Sequence, residues 1–445
     1  KLTRKLKSDF FLTWFPFAFL VQSALIFTFN SAMEHKLFWC KVNKFYLNKR
    51  IAHLQTTKQD ADDIFLVATC VVTDRAKSKW VKEILDHLHQ DKRVYIAGCG
   101  SMNRGEAMDR SVFFGLYPEL FPYEEKIVLL AEDPDQDPRN FSSGLKTPGQ
   151  KLRTKNYIII QNWCDNYCSF CLTIFKRGGH RNRPLEEIIA EINQVEAEGG
   201  KEVVITGINL AAWWASDTRK SEESRFSYLL EEILKQTTIP RIRISSIDPQ
   251  YLTDHFFQIV SNPRFVPHFH FSIQSFSDPI LKVMNRGYLS DKLDEVLTKI
   301  RRLDRPDQDQ ISIWADIISG FPWETEQDFQ ITCDAVQKYW ITKLHAFPFS
   351  DHHKAEKIPA SLLPDQIPQE IRKERNRRLI EIGEEVRDRF VESHYGKRMQ
   401  VLIEEVKNGK SKGRTQNYIQ VQIPWEYEKW SIVDVVLKKI GYSIQ

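Results

Sequence analysis

Three cysteines fall within eight residues, Cys164-Asp165-Asn166-Tyr167-Cys168-Ser169-Phe170-Cys171, shortly after the apolar stretch Tyr157-Ile158-Ile159-Ile160. That stretch has strand character, so the fold has to bring three thiols together at the end of a strand. The spacing C-x3-C-x2-C suits three irons of a four-iron cluster. It leaves the fourth iron open to a small molecule, as a catalytic metal centre requires. A closed structural site needs a fourth ligand nearby, and the twelve residues after Cys171 offer only His180. Zinc knuckles, the alternative, are usually built from C-x2-C pairs.

The surrounding pattern alternates strands and helices. Candidate strands are expected at 157–160, 203–205, 241–244, 268–273, 312–318 and 343–347. A helix after the cysteine run is marked by Pro184 and by Leu185, Ile188, Ile189, Ile192 and Val195 on one face, and it ends at Gly199-Gly200. Six parallel strands with crossover helices predict an open, partial (β/α)6 barrel, whose working end is at the carboxyl ends of the strands. The cysteine run follows the first strand and so falls at that end.

Upstream, short apolar runs at 37–39, 64–67 and 94–97 are each followed by a cysteine: Cys40, Cys70 and Cys99. They predict a small parallel α/β domain, and three strand ends aim three thiols into one crevice. A Pro-, Asp-, Ser- and Gly-rich linker spans 133–149. Residues 364–394 read as a charged helix bridging to the end of the chain. Near the C-terminus the period changes to two, with Ile419, Val421 and Ile423 alternating with polar residues. Strands at 401–406, 418–423 and 432–437, with a turn at Lys407-Asn408-Gly409-Lys410, predict a small β-barrel. The domains expected are therefore 33–149, 150–388 and 389–445.

The bulk numbers are compatible with this. The chain has 445 residues, room for two or three domains. A net charge of +4 permits an anionic partner without requiring one. Seven cysteines, an odd number spread along the chain, do not form a disulfide framework and fit a reducing, cytoplasmic setting. Residues 1–32 stand apart: a basic start is followed by an almost wholly apolar 10–29. This leader is read as translated upstream sequence in preference to a membrane anchor, because Met33 opens an ordinary soluble start and export would oxidise the thiols.

Taken together, the motifs resemble the radical S-adenosylmethionine methylthiotransferases over nearly all of the chain from Glu34. Cys40-Lys41-Val42-Asn43, Thr69-Cys70-Val71-Val72-Thr73 and Gly98-Cys99 are similar to the three auxiliary-cluster motifs of that family. Thr206-Gly207-Ile208-Asn209-Leu210, Arg243-Ile244-Ser245-Ser246, Gln274-Ser275, Met284-Asn285-Arg286 and Gly320-Phe321-Pro322 resemble its barrel motifs. Gly413-Arg414-Thr415-Gln416-Asn417-Tyr418 resembles its TRAM domain, an RNA-binding barrel. The first motif, in the form Cys-Lys-Val-Asn, resembles the branch acting on N6-threonylcarbamoyladenosine in tRNA. Branches acting on isopentenyladenosine or on a ribosomal-protein aspartate are the alternatives.

The resemblance implies two 4Fe-4S clusters, one on Cys164, Cys168 and Cys171 and one on Cys40, Cys70 and Cys99, with S-adenosyl-L-methionine as cofactor. It implies transfer of a 2-methylthio group to adenosine beside the anticodon, with tRNA, a flavodoxin- or ferredoxin-like electron donor and a sulfur source as partners. Cofactor contacts are expected from Thr206, Gly207, Asn209, Ser245, Ser246, Gln274, Asp316 and Gly320. RNA contacts are expected from Lys407, Lys410, Lys412, Arg414 and Tyr418, where bases stack on an aromatic among cations. Lys176, Arg177, His180, Arg181 and Arg183 read as a basic loop facing the tRNA backbone or easing electron delivery. The chain also departs from the family pattern. Phe276 and Trp323 stand where glycines are usual, Ala68 replaces an asparagine, and 351–357 lack an Arg-x-Gly-Thr pattern. Rings at glycine positions are expected to demand a backbone shift or to occlude part of the substrate channel, which leaves open a cluster-bearing tRNA-binding protein without turnover.

Overall fold

A computed structural model describes residues 34–38, 43, 47, 51, 63–71, 73–130, 156–214, 226–307, 309–352 and 358–439, with backbone alone for 440, 443 and 444. The leader, Cys40 and the linker at 133–149 lie outside the described residues.

The first sheet is parallel, in the order β1-β2-β3-β6. Its strands are β1 Glu34–Leu37, β2 Ile64–Thr69, β3 Arg93–Gly98 and β6 Ile127–Leu129, with a hairpin of β4 Met102–Asn103 and β5 Glu106–Ala107 before the last. Every residue of β2 is buried, as a continuous apolar run covered on both faces demands. Helix α1, Asp74–Leu88, begins at Thr73, whose hydroxyl accepts from the Ala76 N–H, and it buries Trp80, Val81, Ile84 and Leu88. The fourth strand, β6, was not singled out in the sequence, although Ile127-Val128-Leu129-Leu130 is an apolar run.

The barrel strands fall where the sequence placed them. They are β7 Asn156–Asn162, β9 Glu202–Gly207, β10 Arg241–Ile244, β12 His268–Gln274, β13 Ser312–Ser319 and β14 Ile341–Pro348. A two-residue β8, Arg181–Asn182, runs antiparallel beside β7, and β11, Ser246–Ile247, pairs with β12. Helix α2, Thr173–Arg177, follows the cysteine run, and α3, Leu185–Ala197, buries the predicted apolar face. Side chains alternate between the two faces of each strand. Ile158, Ile205, Ile244, Phe271 and Ile317 face the helices in one large core. Gln161, Thr206, Ser245, His270, Asp316 and His345 lie on the alternate, inner face.

Two further helices close the barrel side: α4, Glu326–Lys338, and α5, Gln369–Glu392. Helix α5 lies close against β14, and a Cβ at Gly383 would sit 3.0 Å from Leu344 Cδ1. The chain ends in an antiparallel sheet, ordered β17-β16-β15-β18, of β15 Arg398–Lys407, β16 Lys410–Thr415, β17 Gln420–Ile423 and β18 Ile432–Val436. The expected turn is present, with Asn408 and Gly409 both at positive φ, as a tight hairpin requires. Strand β16 was not marked in the sequence; its charged side chains hide the alternation of its small buried residues Ser411, Gly413 and Thr415. Among the described residues no helix is long and apolar enough to cross a membrane.

Candidate functional site

Each sulfur of the cysteine run accepts an N–H. Cys164 Sγ lies 3.5 Å from the Asn166 N, Cys171 Sγ 3.4 Å from the Thr173 N, and Cys168 Sγ 3.2 Å from Arg286 Nη1. This donor set suits thiolates, because N–H donors stabilise sulfur-borne negative charge. Without metal, burial pushes the Cys164 thiol up to about 12 and raises Cys168 as well. Metal loading must therefore expel protons. The loop is held open by Trp163 and Tyr167, both at positive φ, and the Tyr167 ring is 64% exposed.

Two residues that the sequence reading did not single out organise this end of the barrel. The Arg286 side chain is buried, pairs with Asp248 at 2.8 Å and donates to Ser272 O at 2.8 Å and Tyr288 Oη at 3.0 Å. Burial raises the Asp248 carboxyl, against the pull of Arg286. Asn166, inside the cysteine run, donates to Asp248 Oδ2 at 3.3 Å and accepts from Asn209 Nδ2 at 3.2 Å and Tyr251 Oη at 2.7 Å. Arg286 sits in the quoted Met-Asn-Arg motif, but nothing in one sequence shows that it reaches Cys168.

The barrel residues expected to meet the cofactor divide into two groups. Thr206, Gly207, Asn209, Ser245, Ser246 and Asp316 cluster at the working end. Gln161 Oε1 accepts from the Ile208 and Asn209 N–H groups at 3.1 and 2.8 Å, tying the loop after β9 to the end of β7. A Cβ at Gly207 would lie 2.9 Å from Gln161 O. Ser245 Oγ donates to Thr206 Oγ1 at 3.1 Å, and Ser246 Oγ to Asp316 Oδ2 at 3.2 Å. Asp316 Oδ1 also meets His270 Nε2 at 2.8 Å and His345 Nδ1 at 3.1 Å. Burial opposes the charge on Asp316, yet the two imidazoles hold its carboxyl below the usual range. Neither histidine was anticipated; adjacent strands bring them to one carboxylate. Gly320 is different: its Cβ position lies 2.6 Å from Arg372 of α5, and its N–H goes to Glu324. It lies at the α5 contact. Gln274 is buried at the end of β12 with positive φ.

The upstream thiols Cys70 and Cys99 follow adjacent strands and are both buried. The Cys99 turn is packed on the Cys70 turn. A Cβ at Gly98 would lie 2.6 Å from Thr69 O, and the Gly100 N–H donates to Thr69 Oγ1 at 2.9 Å.

Several expectations are corrected. Lys176, Arg177 and Arg183 do not form a solvated basic loop; all three are buried. Arg183 pairs with Glu187 and Glu191 of α3, and Arg181 stacks on Trp163 with its guanidinium 4.0 Å from the ring. His180 stacks on Trp214 at 4.1 Å. Phe276 does not occlude the channel, because it turns into the helix-side core and stacks on Tyr339 at 5.7 Å. Trp323 holds a positive φ of 68°, the conformation a glycine takes freely, and its ring is 40% exposed. Lys407, Lys410 and Lys412 are exposed on paired strands, with Lys412 opposite Glu405, and Arg414 pairs with Glu404. Tyr418 packs against the amino end of the barrel. It bonds Arg243, lies 5.1 Å from the Trp314 ring and 4.5 Å from His268.

The sequence profile of the Radical SAM superfamily matches residues 158–336. A relative from Rickettsia prowazekii named threonylcarbamoyladenosine tRNA methylthiotransferase MtaB is 30% identical over 407 residues, covering 88% of this chain and 92% of its own length. The chain belongs to the radical S-adenosylmethionine methylthiotransferase family. A protein of the same name from Thermotoga maritima is 31% identical over 410 residues, 86% of this chain and 89% of its own. The tRNA-2-methylthio-N(6)-dimethylallyladenosine synthase of Aquifex aeolicus is 29% identical over 393 residues, 83% of this chain and 86% of its own. Among solved structures, the radical S-adenosylmethionine methyltransferase TsrM from Kitasatospora setae covers 71% of this chain at 14% identity and a TM-score of 0.47. As a member of the family, the chain is a radical S-adenosylmethionine enzyme of the methylthiotransferase type. Its cofactors are S-adenosyl-L-methionine and two 4Fe-4S clusters.

Proposed function

We propose that this protein is a tRNA methylthiotransferase that places a 2-methylthio group on N6-threonylcarbamoyladenosine next to the anticodon. The observation that carries the reading is the 30% identity, over 88% of the chain, to a relative named for that reaction. The Cys40-Lys41-Val42-Asn43 motif supports the same branch.

When bound, the clusters and S-adenosyl-L-methionine supply a carbon-centred radical, a methyl group and sulfur. The chain's own residues position and shield. Cys164, Cys168 and Cys171 hold the cofactor-binding cluster, with Arg286 balancing the charge of Cys168. Cys40, Cys70 and Cys99 hold the auxiliary cluster. Asn209, with Thr206 and Ser245, lines the entry for the methionine end, while Asp316 fixes the two imidazoles that face the reacting base. The terminal sheet is a TRAM domain, and Lys407, Lys410 and Lys412 meet the RNA backbone from its outer face. The setting is cytoplasmic, with tRNA, an electron donor and a sulfur source as partners.

The test is nucleoside mass spectrometry of tRNA from a strain lacking the gene. Loss of the methylthio form, with threonylcarbamoyladenosine retained, is expected. Loss of the methylthio form of dimethylallyladenosine instead would reassign the substrate. Unchanged tRNA would refute the reading.

A further inference from the structure

Both cysteine trios have a buried arginine on one sulfur. Arg286 reaches Cys168 of the first, and Arg177 reaches Cys99 of the second, with Nε 3.2 Å from Sγ. Arg177 ends α2, the short helix that leaves the Cys164–Cys171 run, yet its guanidinium crosses into the upstream α/β unit. Its side chain is fully buried. Nη1 lies 3.4 Å from Asn162 Oδ1 at the end of β7, and Nη2 bonds Asn43 Oδ1, three residues after Cys40. One planar group therefore touches both halves of the candidate site.

Its position is fixed from the backbone as well. The Gly105 N–H donates to Lys176 O at 2.8 Å, and the Arg104 N–H to Phe175 O at 3.0 Å. A Cβ at Gly105 would lie 2.9 Å from the Trp163 ring, so the upstream hairpin and α2 meet without room for a side chain. Arg177 is held to Cys99 by this contact, independently of any flexible loop.

A hydrogen bond from a permanent cation to a ligating sulfur stabilises the reduced, more negative state of a cluster. It raises the reduction potential, most strongly where water is excluded. We propose that Arg177 is a positioning residue for the auxiliary cluster, setting its reduction potential through Cys99 and fixing its place relative to the cluster on Cys164, Cys168 and Cys171. The proposal rests on the reading that Cys40, Cys70 and Cys99 hold a cluster, and it assigns Arg177 a role that reading does not contain.

The experiment uses the full chain with Cys164, Cys168 and Cys171 all replaced by Ser, reconstituted with iron and sulfide under anaerobic conditions, so that only the auxiliary cluster is observed. Electron paramagnetic resonance gives its midpoint potential, with Arg177 intact and as Arg177→Lys and Arg177→Gln. Arg177→Gln is expected to shift the midpoint to more negative potential, and Arg177→Lys part of the way. A second readout detects the contact itself. With guanidino-15N-arginine in the chain, spin-echo modulation of the reduced cluster is expected to show an arginine nitrogen. Loss of that signal in Arg177→Lys identifies the residue. A loaded cluster without arginine-nitrogen coupling overturns the proposal and leaves the cluster assignment standing, as does one midpoint shared by all three chains. Failure of the triple-Ser chain with Arg177 intact to bind any cluster overturns both.

Discussion

At the scale of single residues, the site is built from groups that do more than one thing. Asn166 is a spacer in the cysteine run and also the link between Asp248, Asn209 and Tyr251. Phe276 replaces a family glycine, and the structure shows why the chain tolerates it: the ring fills helix-side core against Tyr339. Phe276→Ala is therefore expected to lower unfolding free energy by about 3–5 kcal/mol, the range for emptying a buried aromatic site. Denaturant titration measures that loss, and turnover per folded molecule should stay the same. A fall in turnover without a fall in stability would put the ring in the channel after all.

At the scale of elements, the strands were legible because each carries apolar residues, in a run as in β7 and β9 or at every second position as in β10 and β12, and α3 because its apolar residues repeat at helical spacing. Strand β16 was not, since its buried face is made of Ser411, Gly413 and Thr415, which no hydrophobic pattern reveals. The Cys164–Cys171 run was legible through its spacing, and Cys70 and Cys99 through their places after strands, whereas the contacts of Arg177, Arg286, His270 and His345 were not. Cys99 is 78 residues from Arg177, Cys168 is 118 from Arg286, and Asp316 is 46 and 29 from the two histidines, so only the fold joins them. The contact between α5 and the loop after β13 gives a pH prediction. Glu324 is buried, pairs with Arg375 of α5 at 2.8 Å and accepts from Gly320 N at 2.7 Å, yet burial pushes its carboxyl up to about 7 from 4.5. Between those values the folded chain keeps a proton that the unfolded chain has released, so this group's contribution to stability falls as pH rises through the window. Unfolding free energies measured across that range should decline in the native chain more steeply than in Glu324→Gln. Equal slopes would remove Glu324 from the explanation.

At the scale of the whole molecule, the cofactor content is the most direct number. Two four-iron clusters predict about eight irons per anaerobically reconstituted chain, falling to about four when Cys164, Cys168 and Cys171 are replaced together. Iron and acid-labile sulfide analysis reads this, and zinc in place of iron would be incompatible with the site described. The family departures do not add up to a damaged barrel: of the two rings at glycine positions, Phe276 is core, and Trp323 occupies the glycine conformation with its ring partly in solvent.

Tyr418 sits at the amino end of the barrel strands, and the thiols lie beyond their carboxyl ends. Barrel strands lie between the two, and β12 alone runs seven residues, about 20 Å at ~3.3 Å per residue. That separation is a built-in gauge. A nucleotide offered to the thiols while its parent strand also rests on the terminal sheet must belong to an RNA that runs past the side of the barrel, so shortening the RNA from the far end should weaken binding before it touches the reacting base.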